Sequence, residues 1–173
     1  MHLYKLTLAC FFVIIAATAS LAQEAELLKE LPQTKEEFVA SEKSVLATIN
    51  WLESTPVTEQ ADKRKAQYAL FTAWVINSPT VTIEVNEATT KFASKNSELL
   101  IMFMAGWTRY ALQNNYSKDA TQATLAGIRC AARVYKAGGL KKDKEMQKLI
   151  DMDEEGELEK WVTEQIGKTK KAG

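Results

Sequence analysis

Ser97 to Gln113 reads SELLIMFMAGWTRYALQ, and the run Leu99-Leu100-Ile101-Met102-Phe103-Met104-Ala105 at its heart has no polar face. A helix that is apolar all round has to be covered by neighbours on every side. Crossing a bilayer takes about 20 apolar residues, so this run is far too short for a span. The stretch therefore predicts the central buried helix of a helical bundle. Everything on either side of it is read as cover.

Downstream, Asn114-Asn115 closes the central helix, and a second helix is expected over about Lys118 to Ala137. Its Ala120, Ala123, Ala126, Gly127, Ala131 and Ala132 are small, which lets two helix axes approach closely, so it should lie against the central one. Gly138-Gly139 is a stop signal. A polar helix over about Lys142 to Met152 and a last one over about Leu158 to Ile166, with Leu158, Trp161, Val162 and Ile166 on one stripe, complete this half.

Upstream, Thr34 and Glu37 form a T-x-x-E capping box. Phe38, Val45, Ile49 and Leu52 then recur at helical spacing until Ser54-Thr55-Pro56. A second upstream helix, from near Thr58 to Ile76, should bury Ala66, Leu70, Phe71 and Trp74 and end at Ser78-Pro79. Thr80 to Val85 alternates like a strand, but a lone strand leaves its backbone groups unpaired. An extended connector followed by a short helix over about Asn86 to Ser94 is the reading that avoids this. The fold class that results is all-α: a single-domain bundle of six or seven helices around a central buried helix at about 97–113.

The first 22 residues have a different character. Lys5 precedes the apolar run LTLACFFVIIAA, and Ser20-Leu21-Ala22 supplies small residues at −3 and −1 of a cut before Gln23. That layout is read by signal peptidase. Cys10 does not make a lipobox, because Thr7 stands where Leu is wanted. The expected organisation is a signal peptide at 1–22, a polar lead at 23–33, a helical domain at 34–166 and a flexible basic tail at 167–173. Export to the periplasm or beyond the cell follows, with no stable membrane anchor once the signal is cleaved.

Cleavage removes the only histidine, His2, and leaves Cys130 as the one thiol. Without an imidazole, Ser-His-Asp and Cys-His nucleophiles are excluded, and one Cys with carboxylates is a poor zinc set. Neither S-x-x-K nor G-x-S-x-G occurs. Gly167-Lys168-Thr169 lacks the first glycine of a phosphate-binding loop, since Val162 stands there. The whole chain has 22 basic and 22 acidic residues, and losing Lys5 leaves it one charge from neutral. Such a chain has no field to gather nucleic acid. With a single Cys, no internal disulfide can form, and a domain of about 150 residues buries roughly 68–70% of its unfolded surface without one. Cys130, among small helix residues, is expected to be a buried, inert thiol.

Asp151-Met152-Asp153-Glu154-Glu155-Gly156 resembles the start of a calcium loop, with Asp151, Asp153 and Glu155 at ligand positions and Gly at the sixth. The bidentate glutamate that should close the shell is Val162. The competing reading is a turn whose acidic residues favour the start of the next helix. Lys141, Lys142, Lys144 and Lys148 precede this acidic stretch, and a solvated face with local ion pairs accounts for the pattern. Asn115-Tyr116-Ser117 is a glycosylation sequon that matters only in a eukaryotic producer. Trp51, Trp74, Trp107 and Trp161 lie on or beside apolar stripes, as core residues do. Trp107, Tyr110 and Trp161 are also the residues from which a binding surface would be built.

NSPTVTIEVNEATTKFASKN (77–96), MAGWTRYALQNNYSKD (104–119) and LIDMDEEGELEKWV (149–162) together resemble an uncharacterised family of small exported all-helical proteins of Gram-negative bacteria. The resemblance covers nearly the whole mature chain. It implies a periplasmic or secreted location and no particular activity. The function expected from the residues is a non-catalytic module that binds a protein partner or a small ligand. The alternative is a histidine-free, carboxylate-dependent hydrolase of envelope or extracellular glycan, which needs two carboxyl groups about 5–10 Å apart in a cleft.

Overall fold

The computed structural model describes residues 26–85 and 87–172. Among them the elements are α1 (Lys35–Ser54), α2 (Ala61–Asn77), a short α3 (Glu87–Thr90) running into a 3₁₀ turn (Lys91–Ser94), α4 (Ser97–Gln113), α5 (Ala120–Ala137), α6 (Lys144–Glu154) and α7 (Leu158–Ala172). The fold is all-helical, and α4 is its centre. Leu99, Met102, Phe103, Ala105, Trp107, Thr108 and Ala111 of α4 are buried, with α5, α1, α2 and the 3₁₀ turn packed around them. The expected signal segment, 1–22, lies outside the described residues.

Local chemistry sets the helix ends. Thr34 accepts from the Glu37 amide while Glu37 accepts from the Thr34 amide, so the capping box is formed in full. Asp119 caps α5 by accepting from Gln122 N, and the buried Asp143 caps α6 by accepting from Glu145 N and Met146 N. Gly138, at φ 92°, ends α5 in a conformation that side chains rarely adopt.

Between α4 and α5 the spacing is set by two glycines. A Cβ on Gly106 would stand 2.3 Å from the Ala126 carbonyl oxygen and 2.6 Å from Cys130 Cβ. One on Gly127 would stand 2.6 Å from Phe103 Cδ2. Backbone therefore meets backbone along this seam, as the run of small residues in α5 implies.

Two expectations are corrected. The buried stripe of α2 is Arg64, Gln67, Phe71 and Trp74, whereas Ala66 is exposed and Leu70 only half-buried. Positions 64, 67, 71 and 74 follow the helical period, and the two polar members find partners inside, all but Arg64 Nε, which is buried without one among the described residues. Arg64 Nη1 donates to Leu52 O and to Tyr68 Oη, and Nη2 to Thr55 O, which stitches α2 to the end of α1. Gln67 donates to Leu28 O and accepts from Thr48 Oγ1, and Thr48 accepts from Leu28 N. This ring ties residue 28 of the polar lead into the core, where Leu28 is 3% exposed. Second, α7 continues to Ala172, past the expected end at Ile166.

Candidate functional site

On one flank of α4 the cover among the described residues comes from irregular chain. The connector Thr80–Val85 passes over it on one side and the turn Asn114–Asp119 on the other. Between them lies a cleft of about 230 Å³ lined by Thr80, Thr82, Glu84, Trp107, Ala111, Tyr116, Ser117 and Lys118. That is room for one small organic molecule, below the roughly 300–1,000 Å³ of drug-sized sites.

Each wall is held in place by hydrogen bonds. Trp107 Nε1 donates to Thr82 O at 3.1 Å, which fastens the connector to α4. Tyr110 Oη lies 3.4 Å from Ser117 Oγ, which fastens the turn to the same helix. From α1, the Glu42 carboxylate joins the two walls: Thr80 Oγ1 donates to its Oε1 at 3.1 Å and Tyr116 Oη to its Oε2 at 3.0 Å. The bond to Glu42 raises the Tyr116 phenol above its ordinary range. Asn115 and Tyr116 both have left-handed backbone, at φ 51° and 57°, a conformation that costs a bulky residue such as Tyr about 1–2 kcal/mol. The Tyr116 N–H to Ala111 O bond and the Glu42 contact hold the turn there.

Two larger depressions run along the outer face of α1. One, of about 590 Å³, is lined by Leu27, Lys43, Leu46, Ala47, Asn50, Trp51 and Ser54. The other, of about 500 Å³, shares Leu27 and is walled by residues 26–33. Both are more open than the cleft, and Trp51 is occupied by Lys63 Nζ, 4.6 Å from the ring centroid.

Of the sequence-picked aromatic residues, the structure brings two to one place. Trp107 is only 4% exposed, so it is a core residue whose edge meets the cleft, and Tyr110 stands behind Ser117. Trp161 is half-buried on α7, whose main packing partner is α5. The acidic stretch forms the end of α6 and the turn to α7. There Asp151 accepts from Gln147 Nε2, Asp153 takes a bidentate bond from Arg129 that raises the guanidinium's pKa, and Glu155 is the C-cap residue.

A part-buried charge cluster had no signal in the sequence. Glu53, at the end of α1, accepts from Arg109 of α4 at 2.5 Å and from Arg133 of α5. Burial pushes its carboxyl up, but the two guanidinium partners outweigh this and hold it below the ordinary carboxylate range. Cys130 lies in the same region, fully buried, and burial pushes its thiol up to about 12. Such a thiol carries almost no thiolate near neutral pH. Sequence reading missed this cluster because Glu53, Arg109 and Arg133 lie on three helices far apart in the chain.

Comparison of the chain with models of protein families, with curated proteins and with solved structures finds no match in any of the three.

Proposed function

We propose that this protein is an exported, non-catalytic helical domain that binds a small ligand in the cleft between the Thr80–Val85 connector and the Asn114–Asp119 turn. The observation that supports this most is the construction of the cleft. Its two walls are fixed to one another and to α4 by directed hydrogen bonds, so the cavity is formed before any ligand arrives. Pre-formed sites with an apolar floor and a few polar groups on the rim are the usual form of small-molecule sites. One carboxylate, Glu84, lines the cleft, whereas glycan hydrolysis needs a pair, so binding is the preferred reading.

The test is a screen of the purified protein against small metabolites, read by the ¹H–¹⁵N resonances of the Trp107 indole and of the Ser117 and Lys118 amides. Saturable shifts confined to these groups support the reading. Shifts elsewhere, along α1 for example, overturn the choice of site. The exported state is tested separately, by the mass of the protein recovered from envelope or culture fluid. A chain beginning at Gln23 supports export, and one beginning at Met1 counts against it.

A further inference from the structure

Several charged groups of this molecule are engaged internally. Glu53 holds two arginines, Asp153 holds Arg129, and Glu154 holds Lys136. Glu42 is occupied by the two hydroxyls that close the walls of the cleft. Glu84 and Lys118 are different. They line the same cleft from different walls, one on the connector and one past the turn, and neither is engaged by an ion pair or hydrogen bond among the described residues. Between them the floor is apolar, made by the Trp107 edge and Ala111, with the Tyr116 ring at the side.

A free carboxylate and a free ammonium on separate walls over an apolar floor complement a molecule that carries both charges and an apolar part. A neutral polyol would make use of neither charge, and an anion or a cation alone would meet one partner and one repulsive group. From this we infer that the ligand is a small zwitterion of the α-amino-acid class. Its ammonium sits on Glu84, its carboxylate on Lys118, and its side chain over Trp107 and Ala111. Opposite charge on the two walls also fixes the direction in which the ligand enters, since the reversed pose places like charges together. This inference names the ligand of the site proposed above and rests on that reading.

The experiment is a titration of the purified protein with L-leucine, N-acetyl-L-leucine, L-leucinamide and glucose, followed by the Trp107 indole and Lys118 amide resonances. The acetyl compound lacks the ammonium and the amide lacks the carboxylate, so each removes one contact. L-leucine is expected to bind at least about tenfold more tightly than either, as loss of one charge-assisted contact implies. Glu84→Gln and Lys118→Met are expected to weaken leucine by a similar factor while leaving the thermal midpoint unchanged, because both side chains are exposed. Equal binding of leucine and its two derivatives overturns the zwitterion assignment. Shifts at these resonances with glucose but not leucine overturn it too, yet leave the cleft as the site. No shift with any of the four compounds overturns the ligand class; if the broader metabolite screen is also silent, the cleft reading falls with it.

Discussion

The two flanks of α4 are finished in opposite ways. Toward α5, Gly106 and Gly127 bring backbone within van der Waals reach of backbone, and a Cβ at either glycine would overlap its neighbours. Toward the connector and the Asn114–Asp119 turn, irregular chain does the covering, and a cleft stays open beside Trp107. Two helices with small residues can close a seam completely because their surfaces are regular. A connector has to spend its polar backbone and hydroxyl groups on hydrogen bonds, here to Trp107 and Glu42, so it meets the helix at separate points and leaves a cleft beside them. The contrast explains why one helix can serve both as core and as the floor of a cleft.

The seam is the place where a small change should do the most harm. Gly106→Ala puts a methyl group against the Ala126 carbonyl oxygen and Cys130 Cβ, and neither the backbone atom nor a Cβ fixed to the backbone can step aside. A loss of about 3 kcal/mol is expected, since overpacking of this kind forces backbone shifts; denaturant midpoints measure it. Little or no loss would mean the two helices are not in fact locked by close approach.

Glu53 ties α1 across this seam to α4 and α5. Glu53→Ala leaves the half-buried Arg109 without its charge partner and should cost about 2 kcal/mol. The pH dependence has a definite sign. Because the folded protein holds this carboxyl below its ordinary range, the ionised form contributes stability that is complete above the unfolded pKa. That stability is lost as pH falls through the lowered folded value. Unfolding free energy followed from pH 7 downward should therefore decline through the acid range, and Glu53→Gln should decline less steeply. A parallel decline in both would remove Glu53 as the source.

On the cleft side a milder effect is expected. Trp107→Phe deletes the bond to Thr82 O and should cost about 1 kcal/mol, with loss of protection from hydrogen exchange in residues 80–85. Unchanged exchange there would show that the connector is held by something other than Trp107. The smallest effect has the opposite sign. Thr108 is fully buried and its hydroxyl has no hydrogen-bond partner among the described residues. Thr108→Val removes an unsatisfied group of the same shape, and a gain of about 0.5–1 kcal/mol in the denaturant midpoint is expected.

Helix positions were legible wherever the chemistry is local. The Thr34 capping box, the Ser54-Thr55-Pro56 and Gly138-Gly139 stops and the all-apolar Leu99 to Ala105 run each act within a few residues, and the helices begin and end where these signals put them. The Thr80–Val85 segment lacks regular structure, as the absence of a partner strand implied. Reading was less complete where a polar residue belongs to the core. Arg64 and Gln67 lie on the buried period of α2, but their burial is tolerable only because Leu52, Thr55, Thr48 and Leu28 supply partners from other elements.

Composition and periodicity by themselves therefore determined an all-helical chain with α4 at its centre and a close α4–α5 pairing. Tertiary structure decided which charges are spent and which are free. Glu53, Asp153, Glu84 and Lys118 look alike in a list of exposed residue types. Only the approach of distant elements neutralises the first two and leaves the last two lining one cleft. The reason is that charge pairing depends on distance in space, and a helix reports only the neighbours three and four residues away.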